Sequence, residues 1–306
     1  MNKREQKQKK EEIKVIKGLP REMWQHSLQL MEVPENIIEI VLRNGRMVAA
    51  EEWLNSAVAT STRCAVTTAE AVTLPRLFGV EIECYNAKRD NIIAKCAAEN
   101  LEMRDSPYNH RDGGFAKIVS DGSLRGNDTQ EVVMPPLNCF TDLQKVCKAL
   151  KNAGAKVNVS CGLHVHIDAR EMSPQHALNI GRNYYYLRQV INKSLAPSRR
   201  SNNYCRVVYS RRSQADCDVT WEELTSRNSS RYVAVNYQAY LRHKTLEFRQ
   251  HHGTINFKKI SNWVLFLESL VSWSETHALD ADVSSKEDAR LAGLRVDLLR
   301  TLRTFN

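Results

Sequence analysis

The sequence predicts an α+β domain in which a curved, largely antiparallel sheet is flanked by helices. Three kinds of signal predict it. Short runs alternate polar and apolar residues, longer runs carry apolar residues at three- and four-residue steps, and turn residues separate neighbouring runs. The alternating runs are Phe78-Gly79-Val80-Glu81-Ile82-Glu83-Cys84, Gln130-Glu131-Val132-Val133-Met134, Leu163-His164-Val165-His166-Ile167-Asp168 and Thr245-Leu246-Glu247-Phe248-Arg249-Gln250-His251.

Residues 1–17 read as a charged arm, with seven Lys/Arg against three Glu. Residues 18–74 form an N-terminal segment of unassigned role. Within it, Asn44-Gly45 between the apolar stretches 37–42 and 47–50 predicts a hairpin, and 51–59 reads as a helix. Pro75 punctuates the chain before the first alternating run. Residues 90–101 predict a short helix with Ile92, Ile93, Cys96 and Ala97 inward. Residues 117–124 and 130–134 predict a hairpin across Gly126-Asn127-Asp128, ended by Pro135-Pro136. Residues 140–152 predict a helix that stops at Gly154.

Ser173-Pro174 supplies a cap and first turn for a helix running to about Ala196. Its apolar stripe is Ala177, Ile180, Tyr184, Leu187, Ile191 and Leu195. Residues 231–240 and 245–251 predict another hairpin. Residues 257–273 predict a helix with Ile260, Trp263, Val264, Leu267 and Val271 on one face. A polar linker over 275–288 and a basic helix end the sequence. The expected organisation is therefore 1–17, 18–74, a main domain over 75–274, and 275–306.

A chain of 306 residues with 42% hydrophobic and 26% charged residues can bury a sizeable core, which excludes wholesale disorder. No apolar run is long enough for a membrane span, and the charged N-terminus lacks the apolar core of a secretory signal. The eight cysteines are scattered without a CxxC pair. Reduced thiols and a cytoplasmic location are the expectation. The net charge is +9, of which residues 1–17 carry +4. Arg199, Arg200, Arg206, Arg211 and Arg212 surround Tyr204 and Tyr209; phosphate binding and an exposed basic loop both remain open for them.

Side chains alternate faces along a strand. Phe78, Val80, Ile82 and Cys84 therefore oppose Glu81 and Glu83. Leu163, Val165 and Ile167 oppose His164, His166 and Asp168, and Leu246 and Phe248 oppose Glu247 and Arg249. One such strand is usually a solvent-facing edge. In a single sheet, however, the polar faces combine into a crowded acid–imidazole–arginine surface, where divalent cations relieve the repulsion. Carboxylates with one or two imidazoles suit Mg²⁺ or Mn²⁺ better than Zn²⁺. Hard cations partner phosphates, yet the Gly-rich phosphate loops are absent, so a bound ATP must be held through metals and arginines.

Phe78-Gly79-Val80-Glu81-Ile82-Glu83, Asp121-Gly122-Ser123-Leu124 leading to Glu131-Val132-Val133, Cys161-Gly162-Leu163-His164-Val165-His166-Ile167-Asp168, and Asn236 with Leu246-Glu247-Phe248-Arg249 and Gly253-Thr254 follow in order. Over about residues 77–272 this order resembles the amidoligase family, carboxylate–amine ligases with the catalytic fold of glutamine synthetase and glutamate–cysteine ligase. Met134 departs from the small polar residue expected before the proline. Members of that family occur in bacteria and their viruses, among other hosts.

The resemblance implies a glutamine synthetase-like catalytic domain over 75–274. It implies metal ligands Glu81, Glu83, Glu131, His164 and Glu247, with Arg249 facing the transferred phosphate and Arg206 a candidate for nucleotide or substrate phosphate. His166, Asp168 and Asp121 match the pattern without an assigned contact, and Cys161 is expected to pack under its strand. The implied reaction is ATP-dependent, ADP-forming amide synthesis through an acyl phosphate, with Mg²⁺ or Mn²⁺, from a carboxylate substrate and an amine donor. Two alternatives stay open: a metal-dependent amide hydrolase using His164 and His166, and a basic nucleic-acid-binding protein without catalysis. The carboxylate cluster disfavours the latter, since a binder of polyanions gains nothing from it.

Overall fold

The computed structural model describes residues 73–106, 114–207, 220–227 and 229–285, together with residues 13, 16, 17, 21, 24, 25, 28, 33, 35–44 and 50. The chain divides into two compact units, Met1–Ala71 and Val72–Asn306. In the first, α1 (Glu35–Asn44) is helical, which corrects the expected hairpin about Asn44-Gly45. Ile38 and Val41, three residues apart, are buried with Ile13 and Leu28, while Glu39 and Arg43 are exposed. That is helical spacing, and it covers the stretch 37–42 expected as the first strand of the hairpin. The helices expected over 51–59 and at the C-terminus lie outside the described residues.

The second unit is built on strands β1 (Phe78–Cys84), β2 (Met103–Asp105), β3 (Ala116–Val119), β4 (Gln130–Val133), β5 (Gly162–Asp168), β6 (Val235–Asn236) and β7 (Thr245–His252). They form one open sheet in the order β2-β3-β4-β1-β5-β7-β6. Every neighbouring pair is antiparallel except β2 with β3. The mixed α/β, mostly antiparallel architecture expected from the sequence is therefore present. The helices are α2 (Arg89–Ala98), α3 (Thr141–Asn152), α4 (Pro174–Tyr186), α5 (Arg188–Ser194), α6 (Pro197–Arg200), α7 (Trp221–Thr225), α8 (Ala239–His243) and α9 (Phe257–Trp273). Among the described residues no helix is long and apolar enough to cross a membrane.

Period-two alternation sends Phe78, Val80, Ile82, Leu163, Val165, Ile167, Leu246 and Phe248 into one core, each at most 1% exposed. The inward residues of α9, Ile260, Trp263, Val264 and Leu267, are buried in the same core, and α9 packs on α3 and α4. Ser173 accepts a hydrogen bond from the His176 N–H at 3.1 Å, satisfying a donor at the α4 terminus. The expected helix to Ala196 is interrupted at Leu187, yet its stripe is buried on both sides of the break. The expected hairpin strand over 231–240 shrinks to β6. Residues 239–243 form α8 instead, ended by Lys244 in the left-handed conformation (φ 57°).

β5 and β7 are also tied together where they meet beyond the ladder. The Gly253 N–H donates to the Cys161 carbonyl at 2.8 Å. A Cβ at Gly253 would lie 2.5 Å from Cys161 Cβ and 2.9 Å from its carbonyl oxygen, both rigidly placed. Gly253→Ala should therefore destabilise the domain by about 2 kcal/mol, the scale of an overpacked core, as a lower urea midpoint at unchanged slope. An unchanged midpoint would show that the two segments separate easily.

Candidate active site

Register assembles the polar face. Glu83 stands opposite Glu131, and Glu81 opposite His164. His166 stands opposite Glu247, which in turn stands opposite Asn236. Side chains directly opposite on neighbouring antiparallel strands lie about 5 Å apart, so five strands deliver one continuous row of polar groups. The row forms the floor of a cleft of about 1360 Å³.

His164 is the hub. Its Nδ1 lies 2.9 Å from Glu81 Oε2 and 3.6 Å from Glu247 Oε1, and its Nε2 lies 3.6 Å from Glu83 Oε1. His166 Nε2 lies 3.4 Å from Glu81 Oε1, while its Nδ1 shares a 2.9 Å hydrogen bond with the Thr245 hydroxyl. Asn236 donates to Glu247 Oε2 at 2.6 Å, and Arg249 Nη1 donates to Glu247 Oε1. The Gly162 N–H donates to Glu83 Oε2. These partners restrict each carboxylate to one orientation.

The charges in the row are unevenly satisfied. Burial opposes ionisation of Glu81, but hydrogen bonds and charge from His164 and His166 outweigh it and hold its pKa well below the ordinary range. Burial likewise opposes Glu247, and Arg249 followed by His166 lowers it nonetheless. Burial disfavours the charged form of His166, yet Glu81 and then Glu247 raise its pKa. Glu131 stands opposite another acid, Glu83. Burial, then the charges of Glu81, Glu83 and Asp121, push its carboxyl up to about 10. It therefore holds its proton at neutral pH unless a cation replaces it.

Three overlapping groups could hold metal ions: Glu81, His166 and Glu247; Glu81, Glu131 and His164; and Glu83, Asp121 and Glu131. Within each group, donor atoms lie within 4.8 Å of one another. Acids predominate, and a buried carboxyl that cannot ionise alone marks a missing counter-charge. This donor set fits hard divalent cations.

Glu81, Glu83, Glu131, His164 and Glu247 are thus brought together, with Arg249 beside Glu247. Arg206 is not. It is exposed, does not line the cleft, and engages Tyr232 and Ala234 through its backbone. Asp168 pairs with Arg170 at 2.9 and 3.0 Å from Nε. Asp121 enters a donor group because the turn after β3 bends back; Ser123 N–H donates to its carboxylate at 2.7 Å. Cys161 is buried, and burial raises its thiol pKa, so it is not a thiolate.

Arg199 takes a cleft position that sequence reasoning did not single out from its cluster. It is 4% exposed, and its Nη2 donates to the Arg249 carbonyl at 2.6 Å. That carbonyl lies at a bulge: Leu163 pairs with His251, but Val165 pairs with Phe248. Simple alternation would put His251 on the acid face; the bulge leaves it with Gln250 on the buried side. Gln250 bonds Tyr184 and Asn192, and His251 packs on Trp263. No sequence signal marks this bulge.

The model of the family described as putative amidoligase enzyme matches residues 74–271. Among curated proteins none matches the chain.

Proposed function

Because the chain belongs to the amidoligase family, we propose that it is an ATP-dependent, ADP-forming carboxylate–amine ligase of the glutamine synthetase-like group, acting in the cytoplasm. The family supports an enzyme of ligase type. The observation that carries the finer reading is the convergence of Glu81, Glu83, Glu131, His164 and Glu247 in one cleft that Arg249 also lines.

Glu81, Glu83, Glu131, His164 and Glu247 would hold Mg²⁺ or Mn²⁺, with His166 and Asp121 adjoining. When bound, such cations neutralise phosphate charge. In the reaction a substrate carboxylate oxygen bonds to the γ-phosphorus of ATP as the bond to the bridging oxygen breaks, and ADP leaves. The amine nitrogen then bonds to the acyl carbon of this acyl phosphate. Its bond to the phosphate oxygen breaks, and the amine proton leaves with phosphate.

Arg249 lines the cleft and is anchored by Glu247 through Nη1, which would fix its guanidinium charge beside the moving phosphoryl oxygens. Burial disfavours its charge, but Glu247 and Glu81 raise its pKa, so it stays cationic. Asn236 holds the other oxygen of Glu247 and prevents it from rotating. Positioning and electrostatics carry the rate.

Incubation with ATP, Mg²⁺ and a panel of carboxylates in hydroxylamine tests this. An acyl phosphate is trapped as a hydroxamate, in step with ADP. Amide cleavage without nucleotide, or the absence of any hydroxamate alongside such cleavage, would replace the ligase by a hydrolase.

A further inference from the structure

The mouth of the cleft differs in character from its acidic floor. Arg125, Arg227 and Arg242 line it, are exposed, and have no ion-pair partner among the described residues. The most exposed large apolar side chains among the described residues also line it: Val159 (74%), Tyr204 (55%), Leu241 (46%) and Tyr232 (39%). They come from separate segments, so chance crowding on one loop does not explain them. Exposed apolar groups ringed by polar ones mark binding surfaces. At about 1360 Å³ the cleft also exceeds the roughly 300–1,000 Å³ of small-molecule sites.

We propose that this rim docks a polypeptide segment bearing several carboxylates, and that one of those carboxylates enters the floor as the ligase substrate. The substrate role rests on the ligase reading; the docking does not. Uncompensated guanidiniums seat carboxylates, and Tyr204, Tyr232, Leu241 and Val159 cover the apolar parts of such a chain. Nucleic acid fits the rim less well. Tyr204 and Tyr232 pack edge to face at 5.6 Å, and Arg231 lies over the Tyr232 ring at 5.2 Å. Their faces are therefore partly occupied and do not form an open platform for bases.

Fluorescence anisotropy without ATP tests the docking, using a labelled peptide of alternating glutamate and alanine. Its glutamine counterpart and a single-stranded oligoribonucleotide of equal charge serve as competitors. R227E/R242E should bind the peptide about tenfold more weakly, the sum of two exposed ion pairs, and R125E should weaken it independently, with melting temperatures unchanged. Equal binding by wild type and all variants, or tighter binding of the RNA, would overturn the proposal. Peptide binding that fails with the variants supports the docking even where no hydroxamate forms, an outcome that removes only the ligase reading. Hydroxamate formed from free glutamate, with no peptide bound, removes the docking and leaves the ligase standing.

Discussion

Glu81→Gln and Glu247→Gln are each expected to lower ADP formation by at least about 10³-fold, the scale seen when a group that organises transition-state charge is removed. Each glutamate touches the hub imidazole or the arginine: Glu81 binds His164 and His166, and Glu247 binds Arg249 and Asn236. An amide keeps the size of the side chain but loses the charge that attracts a cation. Glu81→Gln should also destabilise the metal-free domain by about 2 kcal/mol at neutral pH, since it strips a buried partner from two imidazoles. The folded pKa of Glu81 lies well below 4.5, so its contribution is present above the unfolded value and is lost as pH falls through the folded one. The stability gap between wild type and variant should therefore close in acid. Activity within tenfold of wild type in both variants would remove these residues from the site.

Glu131→Gln should do the opposite to stability. Burial and three neighbouring acids disfavour the charge of Glu131 and push its carboxyl up from 4.5 to about 10 in the folded protein. The stabilising contribution of such a group is fully present below 4.5 and is lost as pH rises through the folded pKa. At pH 7 the loss is about 3 kcal/mol. Glutamine cannot ionise in the unfolded chain and escapes this loss, so the metal-free variant should melt roughly 5 °C higher at pH 7. Near pH 4 the two proteins should melt together. Adding Mg²⁺ reverses the order, because a bound cation displaces the Glu131 proton in wild type and finds no such ligand in the variant. Thermal melts at two pH values, with and without Mg²⁺, read all of this. A variant that melts below wild type at pH 7 without metal would show that Glu131 is ionised and already paired.

The two results together separate neighbours that look alike in sequence. Glu81, Glu83 and Glu131 all occupy the outward positions of alternating strands, and nothing in the residues themselves distinguishes their charges. The difference is that Glu81 faces His164 across a strand pair while Glu131 faces Glu83. Register makes one carboxylate comfortable and the other proton-bound.

From the sequence alone came the faces. Strand side chains alternate with a period of two, so Phe78, Val80 and Ile82 had to oppose Glu81 and Glu83 whatever the rest of the chain did. The α9 helix was legible for the same reason, since its apolar residues recur at a helical period over 257–273. Local signals failed over 37–42, where a helix takes the place of the expected hairpin strand, and at 239–240, where α8 begins before the expected strand is complete. Tertiary structure decided strand order, and with it which acid meets which imidazole. It also decided the bulge that removes His251 from the acid face, and the choice of Arg199 over Arg206 at the cleft. Pairing between segments far apart in the chain depends on the summed packing of the whole core, and no short stretch of residues encodes that sum.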